Sequence, residues 1–305
     1  MTKYKFYTAL LFAGFFFPGK FVFSEEVDSV KLNQYLHEIQ KKVQYAYEFD
    51  GVRYVRTDQE FELVGDSIQE LMYEFFQCKG SYDYSIDIKH VGDVCSSDGK
   101  VRIINWNFQY SDKTYTYFGF VMHKVRNGDV EVYRLTDSKV EVRNFEDKVF
   151  AADNWYGALY YFIMPAFDGK KKRYILFGWD GNDQFSTKKI IDVLSFKRSG
   201  EPEFGDNIFV KNNRKNKRLV FEYSSKVNML LRYDEEEELI VFDHLTPIKN
   251  SFKGNYQFYG PDGTYDAFKM QNSYWVFQDD VILKNKDLQK KSSTEPSGSD
   301  QFYKK

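Results

Sequence analysis

From Tyr82 onward the chain abandons the three-and-four spacing of apolar residues for alternation and short continuous apolar runs. This change of period limits its fold more than any other feature, because a period of two places alternate side chains on opposite faces of a strand. The spacing predicts strands over residues 86–89, 101–109, 115–123, 130–135, 160–164, 174–179, 189–196, 218–223, 229–233 and 239–242. Polar tips join many of them, among them Asn127-Gly128-Asp129, Asp168-Gly169 and Asp180-Gly181-Asn182-Asp183. Gly, Asn and Asp tolerate turn dihedrals, so such tips mark antiparallel hairpins. No helical pattern separates the strands, which excludes a parallel βαβ plan. Blocks of about fifty residues look loosely alike, yet no residue pattern repeats at a fixed offset. The expectation is an α+β chain whose large antiparallel β region is a rolled or propeller-like meander, or alternatively a β-sandwich.

Ahead of that region two segments keep the helical period. Leu32, Leu36, Ile39 and Val43, with Ala46 or Tyr47, line one face of the first, which Asp50-Gly51 ends. The second opens at Thr57, because Thr57 and Glu60 have the spacing of a capping box. Val64, Ile68, Leu71, Met72 and Phe75 form its stripe, and Gly80 closes it.

The first residues read differently again. Lys3 and Lys5 precede an apolar run from residue 6 to 17, followed by Pro18-Gly19. Val22 and Ser24 stand where a signal peptidase needs small side chains before a cut at Glu25. The run falls short of the roughly 20 residues that span a bilayer. The expectation is a signal peptide over 1–24, a helical segment over 25–80, an antiparallel β domain over 81–283 and a disordered tail over 284–305. Export to the periplasm or the extracellular space follows, with no stable membrane span after cleavage. About 280 residues then remain, enough for a sizeable core.

Net charge is −2, and loss of Lys3, Lys5 and Lys20 with the leader makes it more negative. That balance lacks the basic surplus of a nucleic-acid binder. Aromatic residues make up 19%, which favours pleated, half-buried surfaces. Cys78 and Cys95 are the two cysteines; in an exported chain a single disulfide is the simplest reading, with free buried thiols or a catalytic thiol as rivals.

Several blocks stand out: Trp155-Tyr156-Gly157-Ala158-Leu159-Tyr160-Tyr161, Gly178-Trp179-Asp180-Gly181-Asn182-Asp183, Phe221-Glu222-Tyr223-Ser224, Phe242-Asp243-His244-Leu245 and Tyr259-Gly260-Pro261-Asp262-Gly263-Thr264-Tyr265-Asp266. Over roughly 154–280 the chain resembles a family of exported bacterial proteins of about this length. The resemblance implies export and a β-rich C-terminal region, and it carries no activity and no catalytic residue.

The candidate ligand-binding residues are Trp155, Tyr156, Trp179, Asp180, Asp183, Glu222, His244, Asp262 and Asp266. Trp and Tyr offer rings on which a sugar stacks; the Asp180 and Asp262 stretches offer oxygens, but they lack an EF-hand ligand series, so a hairpin turn is the first reading of each. Glu222 lies inside an apolar strand and so is either turned outward or shifted in pKa. Asp243 and His244 point to opposite faces of a strand and cannot form a dyad by adjacency. His37, His90 and His123 are scattered, without zinc-ligand spacing, and no phosphate-cradling or nucleophile-elbow motif is present. No cofactor or metal is expected. The expectation is a non-catalytic protein that binds a glycan, peptide or envelope protein through an aromatic β surface. The alternative is a polysaccharide-directed hydrolase working through paired carboxylates about 5–9 Å apart.

Overall fold

The computed structural model describes residues 28–47, 57–138, 145–167 and 171–282. The leader, the Asp50-Gly51 stop, the Asp168-Gly169 tip and the C-terminal tail lie outside the described residues.

Two helices come first, α1 (Ser29–Tyr47) and α2 (Asp58–Gln77). Thr57 caps α2: its hydroxyl accepts from Glu60 N at 3.2 Å, and Glu60 Oε2 accepts from Thr57 N at 2.7 Å. Ile68, Met72, Phe75 and Phe76 are then buried on one stripe, each contributing roughly 1.5–3 kcal/mol. Gly65 sets how close the helix comes, since a Cβ there would lie 2.6 Å from Cε1 of Phe118.

The first sheet is a meander of β1 (Gly92–Cys95), β2 (Val101–Gln109), β3 (Tyr115–Lys124) and β4 (Val130–Thr136). Next along the chain are β5 (Phe150–Ala151), β6 (Leu159–Phe167), β7 (Lys172–Asp180), β8 (Ser186–Phe196) and β9 (Pro202–Phe204), which form the second sheet in the order β5-β9-β8-β7-β6. After β10 (Phe209–Lys211) and β11 (Arg214–Asn216), β12 (Leu219–Ser224) returns to pair with β8. The third sheet takes β10 and β11 together with β13 (Leu231–Asp234), β14 (Leu239–Pro247), β15 (Tyr259–Gln271) and β16 (Tyr274–Gln278). All pairings between these strands are antiparallel except β10 with β16, and an isolated parallel bridge joins Asp137 to Trp155.

Alternation along the strands orders these parts. On β2, Ile104, Trp106 and Phe108 share a core with the helices, while Val101 and Ile103 share one with the second sheet. On β7, Tyr174 and Leu176 face that same core, and Ile175 and Phe177 face the third sheet. The protein is thus a helical cover followed by three sheets, largely antiparallel, each sharing a core with the next, and no barrel closes among the described residues. Strands buried on both faces are mostly apolar along their length, which is why they read as near-continuous runs.

The second sheet holds a buried ion pair. Arg218 Nε donates to Asp192 Oδ2 at 2.9 Å, with neither side chain exposed. The guanidinium also donates to the carbonyls of Phe145 (2.7 Å) and Phe204 (3.3 Å) and lies 4.7 Å above the Phe150 ring. Tyr160 completes Asp192 at 3.0 Å.

Three expectations are corrected. Cys78 and Cys95 are free thiols. Cys78 Sγ donates to Glu74 O at the end of α2 (3.6 Å), while Cys95, exposed on β1, lies 4.0 Å from the Tyr82 hydroxyl. The chain between them buries Tyr82, Ile86, Ile88 and Val91 in the first core, and the two sulfurs face different surroundings. Residues 86–89 accordingly plug a core rather than pair as a strand. The Asp262 stretch is not a connecting turn but part of the thirteen-residue β15, where Pro261 pairs with Leu245.

Candidate functional site

One cleft of about 650 Å³ gathers residues from the helices, the first sheet, the second sheet and the β12 region. Sites for small ligands span roughly 300–1,000 Å³. Its walls are the end of α1 (Tyr47), the start of α2 (Phe61), the β2–β3 hairpin (Asn107, Phe108, Gln109, Lys113, Tyr115), the β7–β8 hairpin (Trp179, Gly181, Asp183, Gln184, Thr187, Lys189) and the region of β12 (Tyr223, Ser225, Asn228).

The β7–β8 tip is held from behind. On β7, Trp179 points into the cleft while its neighbour Asp180 points the other way. Asp180 Oδ1 accepts from the Tyr117 hydroxyl (2.9 Å) and from Asn182 N (2.8 Å), and Oδ2 accepts from the Tyr156 hydroxyl (2.9 Å). Gly181 N donates onward to the Tyr117 oxygen at 2.8 Å. Burial, and then the Asp180 charge, push both tyrosines well above the usual phenol range. They therefore stay protonated and keep donating. Asp180 is an anchor and not a ligand group.

In front, Trp179 meets Tyr115 edge to face at 5.4 Å and 82°. Gln109 Nε2 donates to the Tyr115 hydroxyl at 2.7 Å, and the Tyr47 hydroxyl donates to the Asn107 carbonyl. Asn107 as a residue is 7% exposed and lines the cleft, and its side-chain amide makes no hydrogen bond among the described residues while staying open to the cleft. The side chains of Gln184 and Asn228 likewise make no hydrogen bond among the described residues. Gln184 and Asn228 are exposed and the Asn107 amide opens onto the cleft, so all three present donors and acceptors to whatever fills it.

Of the residues singled out from the sequence, Trp179 and Asp183 line the cleft. Asp183 Oδ1 accepts from Phe185 N (2.7 Å) and Ser186 N (2.9 Å), shaping the turn. Trp155 is 0% exposed and donates to Tyr160 at 3.3 Å, which corrects its reading as a surface ring. Tyr156 belongs to the Asp180 anchor. Glu222 Oε1 accepts from the Ser186 hydroxyl at 2.5 Å, on the face of β12 turned away from the cleft. His244 finds its carboxylate across the strand pair: Nδ1 is 3.0 Å from Asp266 Oδ2, the His side chain 46% and the Asp 7% exposed. Asp262 accepts from Thr264 N at 3.0 Å and from its hydroxyl at 2.8 Å within its own bend of β15. These last three residues lie in the third sheet, away from the cleft.

Sequence reasoning missed Tyr47, Phe61, Asn107, Gln109, Lys113, Tyr115 and Lys189. A signal existed for part of this set: Asn105, Asn107 and Gln109 recur at every second position of a strand that is otherwise apolar from Ile103 onward. It also missed Glu146, whose carboxyl burial and the nearby Asp147 charge push upward, and whose Oε1 accepts from Val220 N at 3.2 Å. Glu146 does not line the cleft.

Among the described residues no group of three His, Cys, Asp or Glu side chains is placed to hold a metal ion, and no helix is long and apolar enough to cross a membrane. No protein-family model matches this chain, no curated protein matches its sequence and no solved structure matches its fold.

Proposed function

We propose that this chain is an exported, non-catalytic carbohydrate-binding protein and that the cleft is its ligand site. The observation that carries the reading is a single cleft lined both by the Trp179–Tyr115 pair and by the Asn107 amide, which makes no hydrogen bond among the described residues. Sugars present C–H faces that pack on aromatic rings and hydroxyls that pair with amides, and the cleft offers both. Hydrolysis through paired carboxylates needs a second acid beside the bond to be cut. Asp183 is the one carboxylate of the described lining, and two backbone amides already engage its Oδ1.

Export rests on the leader pattern of residues 1–24 and on the resemblance of the aromatic blocks to exported bacterial proteins. The test has two arms. Mass spectrometry of the native protein should find an N-terminus at Glu25 in the envelope or medium; cytosolic protein beginning at Met1 would overturn export. A glycan array should show saturable binding that Trp179→Ala and Asn107→Ala both abolish. An array without binders, alongside a peptide library with binders, would replace the carbohydrate reading by a peptide one.

A further inference from the structure

We infer that the ligand is a polysaccharide chain and not a mono- or disaccharide, because the rim of the cleft carries a second sugar subsite built on Phe185 and Val227; this rests on the carbohydrate reading above. Two loops meet at that rim, the β7–β8 turn and the turn that leaves β12. Ser225 joins them: its N donates to Phe185 O at 3.0 Å, and its Oγ donates to Gln184 O at 2.9 Å. Phe185 N donates in turn to Asp183 Oδ1 at 2.7 Å. Both backbone groups of Phe185 are thus engaged, while the residue is 53% exposed. Val227 is 41% exposed and lies against Gly260, where a Cβ would come within 3.4 Å of its Cγ2. Val227 also lines the cleft, so the rim continues the cleft and is not a separate surface.

Isolated exposed apolar side chains are ordinary on a protein surface. Here each loop sets one beside an exposed amide: Gln184 precedes Phe185, and Asn228 follows Val227. Neither amide side chain makes a hydrogen bond among the described residues. Inside the cleft the Trp179–Tyr115 pair stands with the Asn107 amide. The rim therefore repeats the interior's combination of apolar face and amide. A polysaccharide repeats its own C–H faces and hydroxyls from ring to ring, so a chain that fills the inner position continues onto the outer one. A short sugar that fills the interior leaves Phe185 and Val227 in water. Because hydrogen bonds hold the Phe185 backbone on both sides, its ring covers a ligand with little further ordering of the loop.

Isothermal calorimetry with the full chain tests this. The probes are oligosaccharides of cellulose, chitin, mannan and galacturonan, each taken from the disaccharide to the hexasaccharide. In at least one series the hexasaccharide should bind about tenfold or more tighter than the disaccharide, a difference of about 1.4 kcal/mol. Phe185→Ala should cut that gain to about threefold or less, the loss of one stacked ring. Trp179→Ala should remove binding at every length. Equal affinity at all lengths in every series that binds, or a full gain retained in Phe185→Ala, overturns the outer subsite and leaves the carbohydrate reading standing. Absence of binding by every sugar removes both. Should Phe185→Ala lose folding by circular dichroism, Val227→Ser provides the second variant. It should cut the gain likewise, and a full gain in that variant overturns the subsite.

Discussion

The ring of Tyr115 lies close against Gly181, so that a Cβ at this glycine would fall 2.6 Å from Cδ2 of the ring. The two residues belong to different sheets, and their close approach lets Tyr115 stand edge-on to Trp179. One wall of the cleft therefore depends on the absence of a side chain on the opposite hairpin. Behind that hairpin, Asp180 gathers Tyr117 and Tyr156 and keeps the tip in register with the first sheet.

Gly181→Ala should push the Tyr115 ring out of place without touching any ligand-facing atom directly. Ligand affinity should drop several-fold, while the thermal midpoint moves by no more than a few degrees, because the ring is partly exposed and can swing aside. A variant with unchanged affinity would separate Tyr115 from the site.

Arg218→Met should be among the most destabilising single changes. It leaves the Asp192 carboxylate buried with one partner fewer, a loss of about 3–5 kcal/mol. Arg218→Met with Asp192→Leu should recover part of that loss and not all of it, since the carbonyls of Phe145 and Phe204 still lack their donor. Denaturant unfolding of both variants measures the difference.

His123 gives a dependence on pH. Its ring is stacked on Phe196 at 3.8 Å, its Nδ1 is buried without a hydrogen-bond partner among the described residues, and its pKa falls from 6.5 to about 4. Burial is the main cause; Lys172 and Lys100 add to it and Asp98 opposes it. Below 6.5 the unfolded chain takes up a proton that the folded chain refuses. The stabilising effect is therefore complete above 6.5 and lost as pH falls toward 4. Because part of the ring remains in contact with water, the loss is on the order of 1–2 kcal/mol. His123→Phe should flatten the difference in unfolding free energy between pH 7 and pH 4; an unchanged slope would refute it.

Both cysteines should alkylate in the absence of reductant. Cys95 should react first, since it is exposed, whereas burial pushes the Cys78 thiol up and lowers its thiolate fraction. Protection of both until reductant is added would restore the bridge.

The helices and long strands were legible because burial leaves a periodic trace: the Thr57–Glu60 cap and the strand over Val101–Gln109 are where the pattern puts them. Short strands such as β5, β9, β10 and β11 are two or three residues long and leave no period to detect. The site was legible only at Trp179 and Asp183. Trp155 and Trp179 differ in nothing visible along the chain, yet one is sealed between two sheets and the other faces the cleft. Which ring meets solvent depends on how the sheets stack, and Asn107 gains meaning only once Trp179 stands near it, some seventy residues later.

Intrinsic fluorescence reads the central claim directly, because Trp106, Trp155 and Trp275 are buried at 0%, 0% and 4% exposure while Trp179 lines the cleft. Titrating the wild-type protein with a sugar that calorimetry shows to bind should give a saturable change in emission, and Trp179→Phe should remove it. Binding that leaves the emission unchanged, or a change that survives in Trp179→Phe, would place the ligand elsewhere and contradict the account.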